Sequence, residues 1–385
     1  MTPAAAVDEA EFRARCRRAQ ALMAQEGLSA LMLTTEADIA YLTGFRTRFW
    51  ESPTRPWFLL LPHEGEPVAV VPEIGADLMG RTWVEDVRTW PAPHYTDDGV
   101  GLLGASLSDM VPAGGAIGLP SGQGTHLRMP LDDWAALRER LPDRRFGSDA
   151  GVMRRLRMVK SEAEIALIAA ACATANRAFA RLPEIAAAGV PLGDVFRRFQ
   201  ILCLEEGADR VAYLAGGAGR DGYTDVISPA SNRALEAGEV LMLDTGLERG
   251  GYFCDFDRNI SLGPASPSAA AAHSRLVEAT RAGFERARPG ATASELFHAM
   301  QAMLGSGTDG AKVGRYGHGL GLQLTEPPSL HPDDHTVLAP GMVLTLEPSV
   351  ELGPGRMMVH EENIVIRDGP AEWLSTPAPD RLRTV

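Results

Sequence analysis

The chain has 385 residues, 45% hydrophobic and 23% charged, with a net charge of −13 and a pI near 5.2. This is the composition of a soluble globular protein long enough for two domains of ordinary size. The acidic balance, with no dense run of Lys or Arg, excludes nucleic acid as a partner.

The N-terminal stretch "MTPAAAVDEAEFRARC" lacks the apolar centre of a signal peptide. No apolar run approaches the roughly 18 residues that would span a bilayer. "DEAEFRARCRRAQALMAQEG" is predicted as a helix, capped by Asp8 and stopped at Gly27. "SALMLTT", "PWFLLLP", "PVAVVPE" and "AIGLP" are short apolar runs bounded by Pro and Gly, and read as strands. Residues 1–152 therefore form an α/β domain. The basic stretch Met153 to Lys160 suits a linker or helix start. Ser161 and Glu164 make a capping box for a long helix running towards Gly189. A second helix, "PLGDVFRRFQILCLEEGA", stops at Gly207. Residues 153–385 read as α+β, with helices between the strand-like runs "GEVLMLDTG", "GGYFCDFDRNISLG", "GMVLTLEPSV" and "MMVHEENIVI". Cys16, Cys172, Cys203 and Cys254 include no CxxC pair and read as reduced thiols of a cytoplasmic protein.

Carboxylates inside apolar strands need compensation. Asp244, Asp255, Glu347 and Glu361 lie in such runs, in the same domain as His318 of "GRYGHGLGLQLTEPP". Two divalent cations would balance four carboxylates. One imidazole with carboxylates is a hard ligand set, suited to manganese first and also to iron, cobalt or zinc. Two such ions can share a water, lower its pKa and polarise a carbonyl.

Asp244 and Asp255, eleven residues apart in "DTGLERGGYFCDFDR", resemble the signature of the pita-bread metallohydrolases: aminopeptidase P, prolidase, methionine aminopeptidase and their creatinase relatives. His318 in "GHGLG", Glu347 in "TLEP" and Glu361 in "HEENIVI" follow in that family's order. "ADIAYLTGF" resembles the creatinase-type N-terminal domain, and "LRMVKSEAEIALI" the usual opening of the catalytic domain. The resemblance implies a creatinase-type α/β domain followed by an α+β pita-bread catalytic domain, and a homodimer. It further implies two metal ions on Asp244, Asp255, His318, Glu347 and Glu361, and amide hydrolysis of a small or dipeptide substrate by metal-bound hydroxide, with Glu347 as general base.

The pattern is not complete. The family's peptidases carry a histidine near position 227, where this chain has Ile227, and no histidine occurs between His126 and His273. Thr325 stands where the histidine of "H-E-x-P" belongs, and Val359 replaces the arginine of aminopeptidase P. Thr325 can donate one hydrogen bond but cannot act as an imidazolium acid. Asp257 occupies the usual threonine position. By strand alternation it shares the face of Asp255 and is a catalytic residue that binds a cationic substrate group, an additional ligand, or an ion-pair partner of Arg258 or another arginine. His360 and Cys254 alternate away from the metals. His331 and His335 read as loop residues. Tyr316 is a candidate proton donor to substrate. Trp50 and Arg55, in "RTRFWESPTRPW", are candidate substrate contacts across a dimer, or parts of a packing loop. The reading as an Xaa-Pro-type peptidase has three rivals: a C–N hydrolase of a creatine-like or ectoine-like metabolite, a dimethylsulfoniopropionate-type lyase, and a binding protein that has lost catalysis.

Overall fold

The computed structural model describes residues 7–52, 55–305 and 314–385. Two units divide the chain, Val7–Arg157 and Met158–Val385.

The first unit is built on one mixed sheet. Its strands are β1 (Ala30–Leu33), β2 (Phe58–Pro62), β3 (Val68–Pro72), β4 (Asp86–Trp90), β5 (Ala116–Leu119) and β6 (Arg145–Ser148), in the order β4-β3-β2-β1-β5-β6. β1 runs antiparallel to β2 and parallel to β5. The β1 and β2 runs are continuously apolar because both sheet faces are covered. The helices Val100–Met110 and Leu131–Arg140 close one core around Met32, Phe58, Leu60, Ile117 and Leu137. Helix Glu9–Glu26 starts where Asp8 accepts from the Glu11 N–H at 2.8 Å and stops at Gly27, whose φ of 66° suits glycine.

The second unit carries two main sheets. In the first, β7 (Arg210–Gly219), β8 (Val240–Arg249) and β10 (Phe256–Ser261) lie in the order β10-β8-β7, with β9 (Tyr252–Phe253) on β8. In the second, β11 (His318–Gly319), β12 (Glu326–Ser329), β13 (Val343–Leu346) and β16 (Glu362–Val365) lie in the order β12-β11-β13-β16. A hairpin of β14 (Ser349–Gly353) and β15 (Arg356–Val359) lies between β13 and β16 in the chain. Helices Pro267–Arg286 and Ala293–Leu304 pack on each other over a core that includes Leu276, Phe297, Met300, Leu344 and Leu346.

Helix Glu162–Ala180 opens with the Ser161–Glu164 capping box but ends nine residues before Gly189. Pro183 accounts for the early stop, since it has no N–H to donate to the Phe179 carbonyl, and the chain tightens into a 3-10 turn over Leu182–Glu184. With its 3-10 continuation this segment, Glu162–Glu184, is 23 residues long, with a mean hydropathy of 1.3. It is thus long and apolar enough for a membrane span, contrary to the sequence expectation. Its apolar face has another occupant: 56% of the window is buried, and Ile165, Ile168, Ala171 and Ala175 lie in the core.

Candidate metal centre

Two of the five expected ligands sit within strands, Asp244 and His318. Asp244 is in mid-β8, directly opposite Asp257 of β10. Asp255 falls in the break between β9 and β10, Glu347 between β13 and β14, and Glu361 between β15 and β16. At each break the chain leaves the ladder and its side chain is released from strict alternation. His318 opens β11 after Gly317, whose φ is 138° and whose added Cβ would lie 2.2 Å from the Thr345 carbonyl. Only glycine lets the turn approach β13 this closely.

Asp255, His318 and Glu361 are all buried, and each offers a ligand atom within 4.8 Å of the others. His318 Nδ1 donates to the Gly319 carbonyl at 2.8 Å, leaving Nε2 to face Asp255 Oδ2 at 3.4 Å. That tautomer presents a lone pair to the cluster. Asn363 grips the backbone of Asp255, accepting from its N–H at 3.0 Å and donating to its carbonyl. The Glu347 N–H donates to the Tyr316 carbonyl at 2.9 Å. Glu361 is fixed by its N–H, which donates to Asp257 Oδ1 at 2.7 Å.

The electrostatics are those of a site made for cations. Burial, then the charges of Asp255, Glu347 and Asp257, push the Asp244 carboxyl well above its ordinary range. Burial, then Asp255, Glu347 and Asp244, do the same to Glu361. Burial raises Glu347 to about 7, with His318 opposing and Asp255 reinforcing. Asp244 Oδ1 and Glu361 Oε1 are buried with no hydrogen-bond partner among the described residues. Buried carboxylate oxygens without donors are costly unless something else satisfies them. Divalent ions would satisfy them, so the residues present fit such ions. Asp244 and Glu347 are half-buried as residues.

Residues 15–159 match the model of the creatinase/prolidase N-terminal domain, and residues 166–368 that of metallopeptidase family M24. The chain belongs to metallopeptidase family M24. The probable dipeptidase PepE of Mycobacterium tuberculosis is 33% identical over 362 residues, 93% of this chain and 92% of that one. An Xaa-Pro dipeptidase of Pyrococcus horikoshii is 27% identical over 354 residues, 90% of this chain and 93% of that one. The structure of dipeptidase PepE from Mycobacterium ulcerans superposes with a TM-score of 0.84 at 29% identity, covering 99% of both chains. A prolidase from Thermococcus sibiricus shares the fold, with a TM-score of 0.87 at 22% identity, covering 99% of this chain and 100% of that one. The chain is therefore a hydrolase of the M24 type, with a creatinase-type N-terminal domain and a pita-bread catalytic domain.

Several other expected site residues of this M24 chain lie elsewhere or are otherwise engaged. Asp257 is fully buried, and both its oxygens are used: Oδ1 by the Glu361 N–H, Oδ2 by Asn259 Nδ2 at 3.0 Å. It buttresses Glu361 instead of meeting substrate. Its carboxylate meets His360 at 3.4 Å, while Arg258 donates to its backbone carbonyl and pairs with Glu362 at 2.9 Å. His360 bridges Asp257 and Glu362, so it lies behind the site and faces away from the ligand cluster, as expected. Tyr316 is wholly buried and stacked on Phe297 at 4.7 Å, a core residue and not a donor to substrate. Trp50 is likewise core, 9% exposed and packed against Phe45 and Trp57, with Arg128 over its ring at 5.0 Å. Arg55 is half-buried and lies over Phe49 at 5.1 Å. Residues 53 and 54 of that loop lie outside the described residues. Thr325 is exposed, and its Oγ1 accepts from Arg315 at 3.5 Å.

Two residues at the site escaped the sequence reading. Tyr213 of β7 is half-buried, and its hydroxyl is held in the protonated form by burial and then by Asp244, Asp255, Glu361 and Glu347. It donates to the Val226 carbonyl at 3.5 Å, beside the position where the first family histidine is missing. Arg315 is half-buried, and its charge lowers the pKa values of Asp255 and Glu347. No motif flags Tyr213. The closeness of Arg315 to His318 in sequence is a signal that could have been used.

Proposed function

We propose that this chain is a binuclear metal-dependent dipeptidase of the Xaa-Pro type, hydrolysing the amide of a small peptide. The observation that carries the reading is the buried carboxylate cluster around His318, with unpartnered oxygens on Asp244 and Glu361. The dipeptidase names of the relatives support the substrate class. Asp244, Asp255, His318, Glu347 and Glu361 would hold two divalent ions, manganese first by the hardness of the set. When bound, such ions polarise the scissile carbonyl and acidify water. Glu347 takes the proton of the attacking water and returns it to the departing nitrogen, so that water adds across the C–N bond to give a carboxylate and an amine. The homodimer belongs to this reading too.

The test is hydrolysis of a panel of Xaa-Pro and other dipeptides with Mn²⁺, Fe²⁺, Co²⁺ or Zn²⁺, against an EDTA-treated control. Metal-dependent cleavage is the expected result. Bound metal with no cleavage would favour the second reading, a C–N hydrolase or lyase of a small charged metabolite, which the missing histidines at positions 227 and 325 favour. Failure to bind any of the four ions would remove the ligand assignment.

A further inference from the structure

A cavity of about 390 Å³ lies within the second unit, and none of the five expected metal ligands lines it. Its size falls at the small end of the roughly 300–1,000 Å³ of ligand pockets. Its wall is mostly apolar, with Phe179, Leu182, Ile260 and Pro377 among the lining residues. Arg177, Arg383 and Pro377 are exposed, so a ligand can enter from solvent.

The charges in this wall are all of one sign. Arg177, Arg258 and Arg383 line the cavity, and no Asp or Glu does. In a chain with 50 acidic and 37 basic residues, chance favours the opposite.

Some of the polar groups are already engaged. Arg258 pairs with Glu362 at 2.9 Å and donates to the carbonyls of Asp257, Glu361 and Thr376. Asn259 donates to Asp257 Oδ2 and to the Val359 carbonyl, and accepts from the Tyr223 hydroxyl. Arg177 pairs with Glu206 at 2.9 Å.

Three groups are not. The Asn176 amide has no hydrogen-bond partner among the described residues. His273 is 2% exposed; its Nε2 donates to the Pro379 carbonyl at 2.9 Å, while its Nδ1 is buried without a partner among the described residues. Arg383 forms no ion pair among the described residues, and its side chain makes one hydrogen bond, from Nη2 to the Ala180 carbonyl at 3.4 Å. That contact places a cation at the negative end of helix Glu162–Ala180, which is a structural use. It takes one of five donors and leaves the rest of the planar fork free. Asn176 lies one turn before Ala180 on the same helix face, so amide and guanidinium border the same end of the cavity.

An apolar wall suits an apolar body. A free guanidinium beside an amide suits a planar anion, and a carboxylate can accept from both. Three guanidiniums with no carboxylate disfavour an ammonium group, so free amino acids, the products on the dipeptidase reading, are the wrong ligands.

We propose that this cavity binds a small carboxylic acid with an apolar body and no ammonium group, its carboxylate held by Arg383 and Asn176. The site is separate from the metal centre and does not rest on the dipeptidase reading.

The experiment is calorimetry on the full chain, both Mn²⁺-loaded and EDTA-treated. The probes are 3-phenylpropanoate, 3-phenylpropanamide and L-phenylalanine, which share an apolar body and differ in charge. Wild type, R383Q and N176A are compared, with thermal unfolding measured for each. The wild type binds the acid in both forms, roughly 10- to 100-fold more tightly than the amide or phenylalanine, as expected for a charge-assisted hydrogen bond. N176A binds the acid more weakly, and R383Q loses the preference for it. Failure of the wild type to bind the acid overturns the proposal, as does equal binding of the amide or of phenylalanine. Acid binding confined to the Mn²⁺-loaded form places the acid on the metal centre and overturns it too. So does undiminished acid binding in folded R383Q or N176A. Absence of dipeptide cleavage bears on the dipeptidase reading alone.

Discussion

Asp257 shows how one carboxylate can serve the site without touching substrate. It accepts from the Glu361 N–H and from Asn259, and faces His360. Burial opposes a charge on His360, but Asp257 and Glu362 outweigh it and lift the imidazole to about 9. Glu362 is held down at about 2: burial works against this, and Arg258 and His360 prevail. The result is an alternating row of charges behind Glu361. Asp257→Asn keeps one acceptor for Glu361 but turns an N–H towards a donor or towards His360. Mn²⁺ affinity should fall about 10- to 100-fold, as for other residues that orient metal ligands, while the protein remains folded. Metal titration of the variant checks this, and unchanged affinity would show that Glu361 needs no such support. Asp255, His318 and Glu361, which the structure brings together, were legible in sequence because a metal centre dictates residue type, order and spacing. Asp257 and Tyr316 were misjudged because their roles depend on which way a side chain faces, whereas His360 keeps away from the ligand atoms as expected.

At the scale of elements, the strands are shorter than their apolar runs. The sheets are interrupted at Asp255, Glu347 and Glu361, yet Cys254 and His360 still lie off the ligand cluster, Cys254 buried against the Thr245 carbonyl and His360 between Asp257 and Glu362. Helix caps were legible, as Asp8, Gly27 and Ser161 show, because they rest on local chemistry. Tyr213 was not, because it reaches the cluster from a neighbouring strand through sheet register, Tyr213 lying opposite Gly246. The Gly317 turn is a tight local constraint beside the ligands, with a positive φ besides. Gly317→Ala should cost on the order of 3 kcal/mol, combining backbone strain with a clash against the Thr345 carbonyl. Melting should fall by roughly 6–12 °C, and displacement of His318 should lower metal content in parallel. Thermal unfolding with metal analysis would test both, and a variant that melts like the wild type would disprove the constraint.

For the whole molecule, the acid cluster links stability to pH and metal together. Without metal, Asp244, Asp255, Glu347 and Glu361 all hold protons more tightly folded than unfolded. Their contribution favours the fold below about pH 4, the ordinary carboxylate range. It is lost as pH rises through the folded values, which for Glu347 means about 7. Divalent ions compete with those protons and remove the repulsion. Mn²⁺ should therefore raise the melting temperature more at pH 8 than at pH 5. Equal shifts at the two pH values would mean that the ions bind elsewhere.

The interruptions that carry the ligands also bear on how the protein comes to be assembled. Asp255 is tied to Asn363 across 108 residues of chain, and Asp257 to Glu361 across 104. Contacts of such long range form late, after the intervening helices and strands have condensed. The centre is thus a product of completed folding and not a nucleus for it. A nascent chain has nothing with which to capture an ion until its last strands are in place, and this protects it from seizing the wrong one early.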